Sequence, residues 1–412
     1  MPSWPTLSIR VDYTTPELQI PTDWTDLSDR IRRANIHQGR SRLLAQTETG
    51  RATVLMDNLD RGLDPTLHPE VKPGAHLEIK ATKGTQTFNL FRGFVRSWGQ
   101  EWPEKKDAVV PVTAEDAFSL LARYELQDEA IASMASGAHL EAVLDLYGWP
   151  ASGSIPPGTT WWRLGNATDG KLGTTTFLGE QARFFDTGQS TIMATTLTGN
   201  LLTHLLNVAE KTEQGTLYVG PSGDLVFKER PSPFDPSIGT WGDEGSELRY
   251  TDLSMDYDDD ELYNDIRVTR RGDVAPVTAS NIPANVAPRT LPLTDVLFST
   301  VGAAQALATE LLTRYQAAVL HPMEMVMRPP YDSPLWAATL GVELGSRLTV
   351  RRRPPGGGAM VELDCLVLGV THDITPSFWE ISWDLAPAEP LLDAWYLGHT
   401  GFSELGTSTV LA

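Results

Sequence analysis

The sequence predicts a mainly β chain of α+β type, in which two related β-barrel modules flank helical and mixed insert regions. Three observations carry that fold class. Turn formers are dense, with 34 Gly and 29 Pro, many of them between short apolar runs. That is the texture of strands joined by turns. Several runs alternate apolar and polar residues with a period of two, as half-buried strands require. The third observation is a phrase that occurs twice, once towards each end of the chain.

The elements follow in order. Residues 52–56 (Ala-Thr-Val-Leu-Met) read as a strand, and so do residues 77–81, where Leu77, Ile79 and Ala81 alternate with Glu78 and Lys80. Lys83-Gly84-Thr85 turns the chain into a return strand through Phe88, Leu90 and Val95, and Val109 to Val112 adds another. Thr113-Ala-Glu-Asp116 has capping-box spacing and predicts a helix with Phe118, Leu121 and Ala122 on one face. Leu140, Val143, Leu144 and Tyr147 share a helical face that Gly148-Trp149-Pro150 ends; Leu202, Leu205, Leu206 and Ala209 share another. Thr216–Val219, a Gly220–Asp224 turn and Leu225–Phe227 form a hairpin, and Ile266–Val268 is a strand. Behind a Ser299 cap runs the longest stripe, Val301, Ala304, Ala308, Leu311, Leu312 and Tyr315. Met323–Met327, Leu348–Arg352, Leu363–Val370 and Trp379–Leu385 complete the strands. The apolar stripes read as core faces.

The repeated phrase is Gly74-Ala-His-Leu-Glu-Ile79, a hairpin and Gly93-Phe94-Val95, against Gly345-Ser-Arg-Leu-Thr-Val350, a longer hairpin and Gly369-Val370-Thr371. Pro354-Pro-Gly-Gly-Gly358 falls where the longer loop belongs. The expected organisation is an N-terminal barrel over 1–118 and a helical middle over 119–215 with a loop-rich insertion near 150–195. A second barrel or mixed domain then covers 216–390, including a helix over 299–318, and 391–412 form a tail.

Composition excludes several functions. With 33 Lys and Arg against 53 Asp and Glu the net charge is −20. Duplex affinity comes largely from neutralising phosphates, so such a chain is a poor nucleic-acid clamp. With 41% apolar residues and 12 Trp the chain can fill its cores. The one cysteine, Cys365, excludes an internal disulfide and a cysteine-based zinc site. No apolar run is long enough to span a bilayer, and Met1-Pro-Ser-Trp-Pro5 does not resemble a signal peptide. The expectation is a non-secreted protein without membrane insertion.

No catalytic, cofactor-binding or metal-binding residue stands out. Gly165-Asn-Ala-Thr-Asp-Gly170-Lys171-Leu172 has P-loop spacing but Leu172 where the Mg²⁺-binding hydroxyl belongs. Asp256-Tyr-Asp-Asp-Asp-Glu261 fails as an EF-hand, because its sixth and twelfth positions are Glu261 and Arg267. A looser cation site there stays open beside a solvated face. None of the eight histidines pairs as H-x-x-x-H, His372-Asp373 reads as a turn, and Cys365 reads as a buried strand residue. The basic residues Arg30, Arg32, Arg33, Arg40 and Arg42, and Arg351-Arg-Arg353, lack the interleaved aromatics of a nucleic-acid surface. The chain therefore reads as a non-enzyme with no cofactor.

Ile36-His-Gln-Gly-Arg40-Ser-Arg42, then Gly50-Arg-Ala-Thr-Val-Leu-Met-Asp-Asn-Leu-Asp60 and Asp64-Pro65, resembles the N-terminal signature of minor tail proteins of long-tailed (siphovirus-type) phages, particularly of actinobacterial hosts. Phe91-Arg-Gly-Phe-Val-Arg-Ser-Trp98, Asp260-Glu-Leu-Tyr-Asn264 and Gly369-Val-Thr-His-Asp-Ile-Thr-Pro376 continue it, over about residues 24–390. The late block is similar to tail hubs, also called baseplate hubs or tail-associated proteins. The resemblance implies two tail-tube-like barrels and a homotrimer at the virion tail tip, assembled in the host cytoplasm. It implies a cap on the tail tube that adapts six-fold to three-fold symmetry. The implied partners are the distal tail protein, the tape measure protein and tip or fibre proteins, with genomic DNA passing through the lumen unbound. Much of the negative charge would face that lumen. The competing readings are a hexameric distal tail protein, and a tail-tip protein that binds carbohydrate, for example through Trp161 and Trp162, or degrades cell wall.

Overall fold

The computed structural model describes residues 4–17, 21–147, 160–162, 174–176, 183–231, 236–245, 247–330 and 333–388. The P-loop-like stretch 165–172 and the tail from 391 lie outside them.

The first half supplies strands β1 (Thr6–Asp12), β2 (Ile31–Gly39), β3 (Glu48–Asp57), β4 (His76–Lys83), β5 (Gln86–Trp98) and β6 (Val109–Glu115). The last third supplies β7 (Asp252–Asp256), β8 (His321–Met327), β9 (Arg347–Arg352), β10 (Val361–Thr375) and β11 (Phe378–Pro387). The first set is ordered β2-β3-β6-β5-β4-β1 and the second β7-β8-β11-β10-β9. Because β10 also pairs with β2, both lie in one 13-stranded sheet. The mainly β class is as the sequence predicts. The modules are joined edge to edge, and among the described residues neither closes into a barrel.

The duplication holds register for register. The Gly74 N–H donates to the Val95 carbonyl at 2.8 Å, and the Val95 N–H to that of Ala75. In the second unit the Gly345 N–H donates to the Val367 carbonyl at 2.7 Å, and the Val367 N–H to that of Ser346. A bulge follows Val95 against β6 and Val367 against β11, after which Trp98 faces Val112 and Val370 faces Trp383. One strand further, Val54 faces Val112 and Met325 faces Trp383; then Ala34 faces Val54 and Leu253 faces Met325. Both Gly74 (φ +91°) and Gly345 (φ +75°) turn the chain through the left-handed region.

This register corrects the sequence alignment of Gly93 with Gly369. Gly93 opposes Leu77 and Cys365 opposes Leu348, so Gly93 corresponds to Cys365. Each glycine answers a local crowding instead. A Cβ on Gly93 would meet the Glu115 carbonyl at 2.3 Å, and one on Gly369 would meet the Asp384 carboxylate at 2.4 Å.

Between the units, helices α1 (Ser136–Leu146) and α2 (Leu201–Leu206) pack Leu140, Val143, Leu144, Leu201 and Leu205 into a second core with Leu217 and Phe227 of the expected hairpin. The predicted stripe through Ala209 continues in a wider turn over Asn207–Thr212. Helix α3 (Val301–Tyr315) lies on a three-stranded sheet of Asp265–Arg270, Val277–Ser280 and Thr290–Val296. It buries Ala304, Leu307, Ala308, Leu311 and Tyr315, while Val301 is exposed. Its cap is Thr300, whose hydroxyl accepts the Ala303 N–H at 3.2 Å, rather than Ser299.

Thr113 to Asp116 is not a helix start. Strand β6 runs to Glu115, and the helical turn is only Phe118–Leu121. The Asp116 carboxylate accepts the N–H groups of Gly50 at 2.7 Å and Phe118 at 2.9 Å. Strand end and helix start use the same residue types, so local spacing could not separate them.

Candidate functional site

Along β2, β3, β6, β7, β8 and β11 one face of the large sheet is covered by the core and the other is more open, whereas β4 and the middle of β10 are buried on both faces. Ala34 and Ile36 of β2, Val54 and Met56 of β3, Val112 of β6, Met325 and Met327 of β8, and Ile381 and Trp383 of β11 point inward and are buried. Residues one step away therefore face outward. On the second unit, beside the apolar Val326 and Phe378, these include nine polar residues: Asp252, Ser254 and Asp256 of β7, Glu324 of β8, Thr371 and Asp373 of β10, and Glu380, Ser382 and Asp384 of β11. Six of those nine are carboxylates. On the first unit they include Arg33, His37, Arg51, Thr53 and Glu115. Glu324 sits directly opposite Asp384. Partial burial and the Glu324 charge hold the Asp384 carboxyl above its usual range, against the pull of His37.

The arginines are already committed to carboxylates. Arg30 binds Asp60 at 2.6 Å, Arg32 binds Asp57 and Asp107 at 2.6 Å, Arg33 binds Asp373 at 2.9 Å, and Arg42 binds Asp260 at 2.8 Å. Arg40 lies 3.7 Å from buried Glu210, whose carboxyl is raised by burial. In the later cluster Arg351 pairs with Glu247 and Glu362, Arg352 with Asp243 and Arg353 with Glu244. A guanidinium held this way offers a phosphate little.

Two carboxylates of the acidic run are spent in the same manner. Asp260 holds Arg42 and Asp259 holds Arg289, while burial raises the Glu261 carboxyl. Among the described residues no three His, Cys, Asp or Glu side chains gather to hold a metal. Cys365 is buried and its thiol is raised by burial. His372 is a buried residue within β10, not a turn residue; its Nδ1 accepts the Trp379 indole N–H at 3.4 Å, and burial lowers it to about 4. The side chains of Trp161 and Trp162 lie outside what the structure describes. Among the described residues the exposed tryptophan is Trp102, 68% exposed after the end of β5.

Sequence reasoning missed one buried pair. His139 of α1 and His204 of α2 meet at 3.0 Å between their Nε2 atoms, and both Nδ1 atoms are buried without a partner. Burial lowers both, to about 4 and about 3, helped by the charge of Arg271. One proton between two nitrogens makes a bond; a second sets two donors face to face. Unfolded histidine titrates near ~6.5, so the unfolded chain binds more protons between that pH and the folded values. Stability should be full above pH ~6.5 and fall as pH drops towards ~4. Melting curves from pH 8 to 4 check this, and His204→Phe should flatten them.

No protein-family model matches this sequence, and no curated protein matches it. The fold does have relatives. The tail protein from Neisseria meningitidis MC58 superposes with a TM-score of 0.58 at 11% identity, over 93% of this chain and 97% of that one. The 43 kDa tail protein of prophage MuSo2 from Shewanella oneidensis superposes with a TM-score of 0.55 at 12% identity, over 92% and 98%. At such identities the likeness establishes a shared fold.

Proposed function

We propose that this chain is a structural hub of a phage tail tip, without a catalytic role. Three copies would cap the tail tube, match its six-fold symmetry to a three-fold tip and seat the distal tail, tape measure and tip or fibre proteins. The carrying observation is the register-for-register duplication. Each chain offers two equivalent sheet units, so three chains offer six to a hexameric ring. The fold shared with the Neisseria tail protein and the Shewanella prophage tail protein supports the reading. On this reading the chain works in the virion, after assembly in the host cytoplasm.

The open face would line the path of the DNA. A wall of carboxylates, with its arginines neutralised, lets a polyanion pass without holding it. Native mass measurement of the purified assembly should give three copies; a ring of six identical chains, or a monomer at every concentration, overturns the hub. In phage particles carrying Thr53→Lys with Ser382→Lys, which add cations to the open face and remove no ion pair, DNA release should slow several-fold with assembly intact. Unchanged release removes this face from the DNA path.

A further inference from the structure

The junction between the two units is a template for a contact that a single chain leaves unmade. There β2 lies on β10, with Ala34 opposite Ile374, Asn35 opposite Asp373 and Ile36 opposite His372. By the correspondence already drawn, β7 is the counterpart of β2. The counterpart of Gly369–Ile374 is the stretch Ser97–Trp102. Its inner edge confirms the match: the Gly99 N–H donates to the Pro111 carbonyl at 3.0 Å, and Glu101 exchanges bonds with Val109 at 2.9 Å. In the second unit Thr371 faces Ser382 and Asp373 faces Glu380 in the same steps.

Among the described residues neither counterpart has a strand partner on that side, although the Trp98 and Gln100 side chains hold the Lys72 and Leu63 carbonyls. Strand β7 ends the sheet, paired with β8 on one side. Ser97–Trp102 has β6 on one side and, among the described residues, no strand on the side where β10 carries β2. The side chains record the difference. Ile374 is 4% exposed under the junction, whereas Trp102, in the same place, is 68% exposed. Leu253, the counterpart of Ala34, faces the same side of the sheet as Trp102.

We propose that β7 of one copy of this chain pairs antiparallel with Ser97–Trp102 of a second copy, setting Leu253 opposite Trp102 and Ser254 opposite Glu101. The contact joins two different edges, so it runs head to tail, and it builds a ring where the rotation between copies closes and a filament where it does not. Closure after three copies rests on the hub reading; the pairing itself does not. Trp102 then leaves water against Leu253, continuing the core from one chain into the next.

One part of the contact is unfavourable, and it supplies the test. At the internal junction Arg33 holds Asp373 at 2.9 Å. The counterparts are Asp252 and Glu101, two carboxylates, and like charges across strands repel. The two edges therefore resist pairing in dilute salt and pair more readily when screened.

The experiment uses the full chain. Leu253→Cys with Trp102→Cys should form disulfides between copies on oxidation, with a denaturing gel showing bands up to the ring size, while Cys365 stays buried and unreacted. Asp252→Arg, which recreates the Arg33–Asp373 pair against Glu101, should lower the concentration needed for assembly at least tenfold; adding Glu101→Arg should reverse the gain. A trimer that forms no disulfide and ignores Asp252→Arg overturns the pairing and leaves the hub standing. A disulfide-linked ring of another size supports the pairing and overturns the trimer. Monomers under every condition overturn both.

Discussion

Gly39→Ala should be among the most disruptive single changes in this protein. Gly39 ends β2 opposite Gly369 of β10, where the two units meet, at φ +105°. A Cβ there would lie 2.1 Å from the Leu368 carbonyl oxygen and 2.7 Å from the Gly369 Cα. Both are backbone atoms, so neither can swing aside without parting the strands. Strain of that kind, added to a left-handed φ, costs about 3 kcal/mol or more and should lower the melting midpoint by roughly 3 °C or more. Gly84→Ala is the control. Its φ is +62° but nothing lies within 4 Å of the added Cβ, so about 1 kcal/mol is expected from the backbone alone. Equal losses in the two variants would show that the junction does not crowd Gly39.

The second large effect is Trp383→Ala. Trp383 is fully buried on the inner face of β11, edge-on to Trp241 with ring centroids 4.9 Å apart. Trp241 belongs to the strand Ser237–Trp241, which runs parallel to β9. Removing the indole leaves a cavity between those strands, and such truncations cost about 3–5 kcal/mol. Trp383→Phe should cost far less. The Trp383 Nε1 is buried without a hydrogen-bond partner, and phenylalanine removes that orphaned donor while keeping much of the ring. Thermal unfolding of the two variants should separate them clearly; a phenylalanine variant as damaged as the alanine one would argue against the cavity account.

Much of the fold was legible in local pattern. Alternation at Leu77, Ile79 and Ala81 located β4, and the turn at Gly84 located its hairpin, because a period of two and a tight turn are local properties. The stripe through Ala304, Ala308 and Leu311 located α3 for the same reason. Pairing was not legible. The glycines at 93 and 369 drew the repeat into the wrong register because they answer crowding from β6 and β11, which lie far away in sequence. The candidate site was almost invisible. Asp252, Glu324 and Asp384 form a surface only once β7, β8 and β11 lie side by side, and no spacing along the chain records that. The exposed Trp102 is likewise an ordinary loop residue until Ile374 shows what its place is for.

The sharing of one edge of β10 also bears on how the chain is made. The strand gives the first part of that edge to β9 and the next to β2, and the Arg33–Asp373 contact across the junction spans 340 residues. Strands β2 to β6 can pair while the ribosome is still at work, but the flank of β2 must wait for nearly the whole polypeptide to emerge. Contacts so distant in sequence form slowly, and an uncovered strand is a hazard while it waits. Arg33, placed on that flank, carries the kind of charge that discourages stray pairing. The residue that later pairs across the junction is thus also placed where a charge opposes stray pairing before the junction forms.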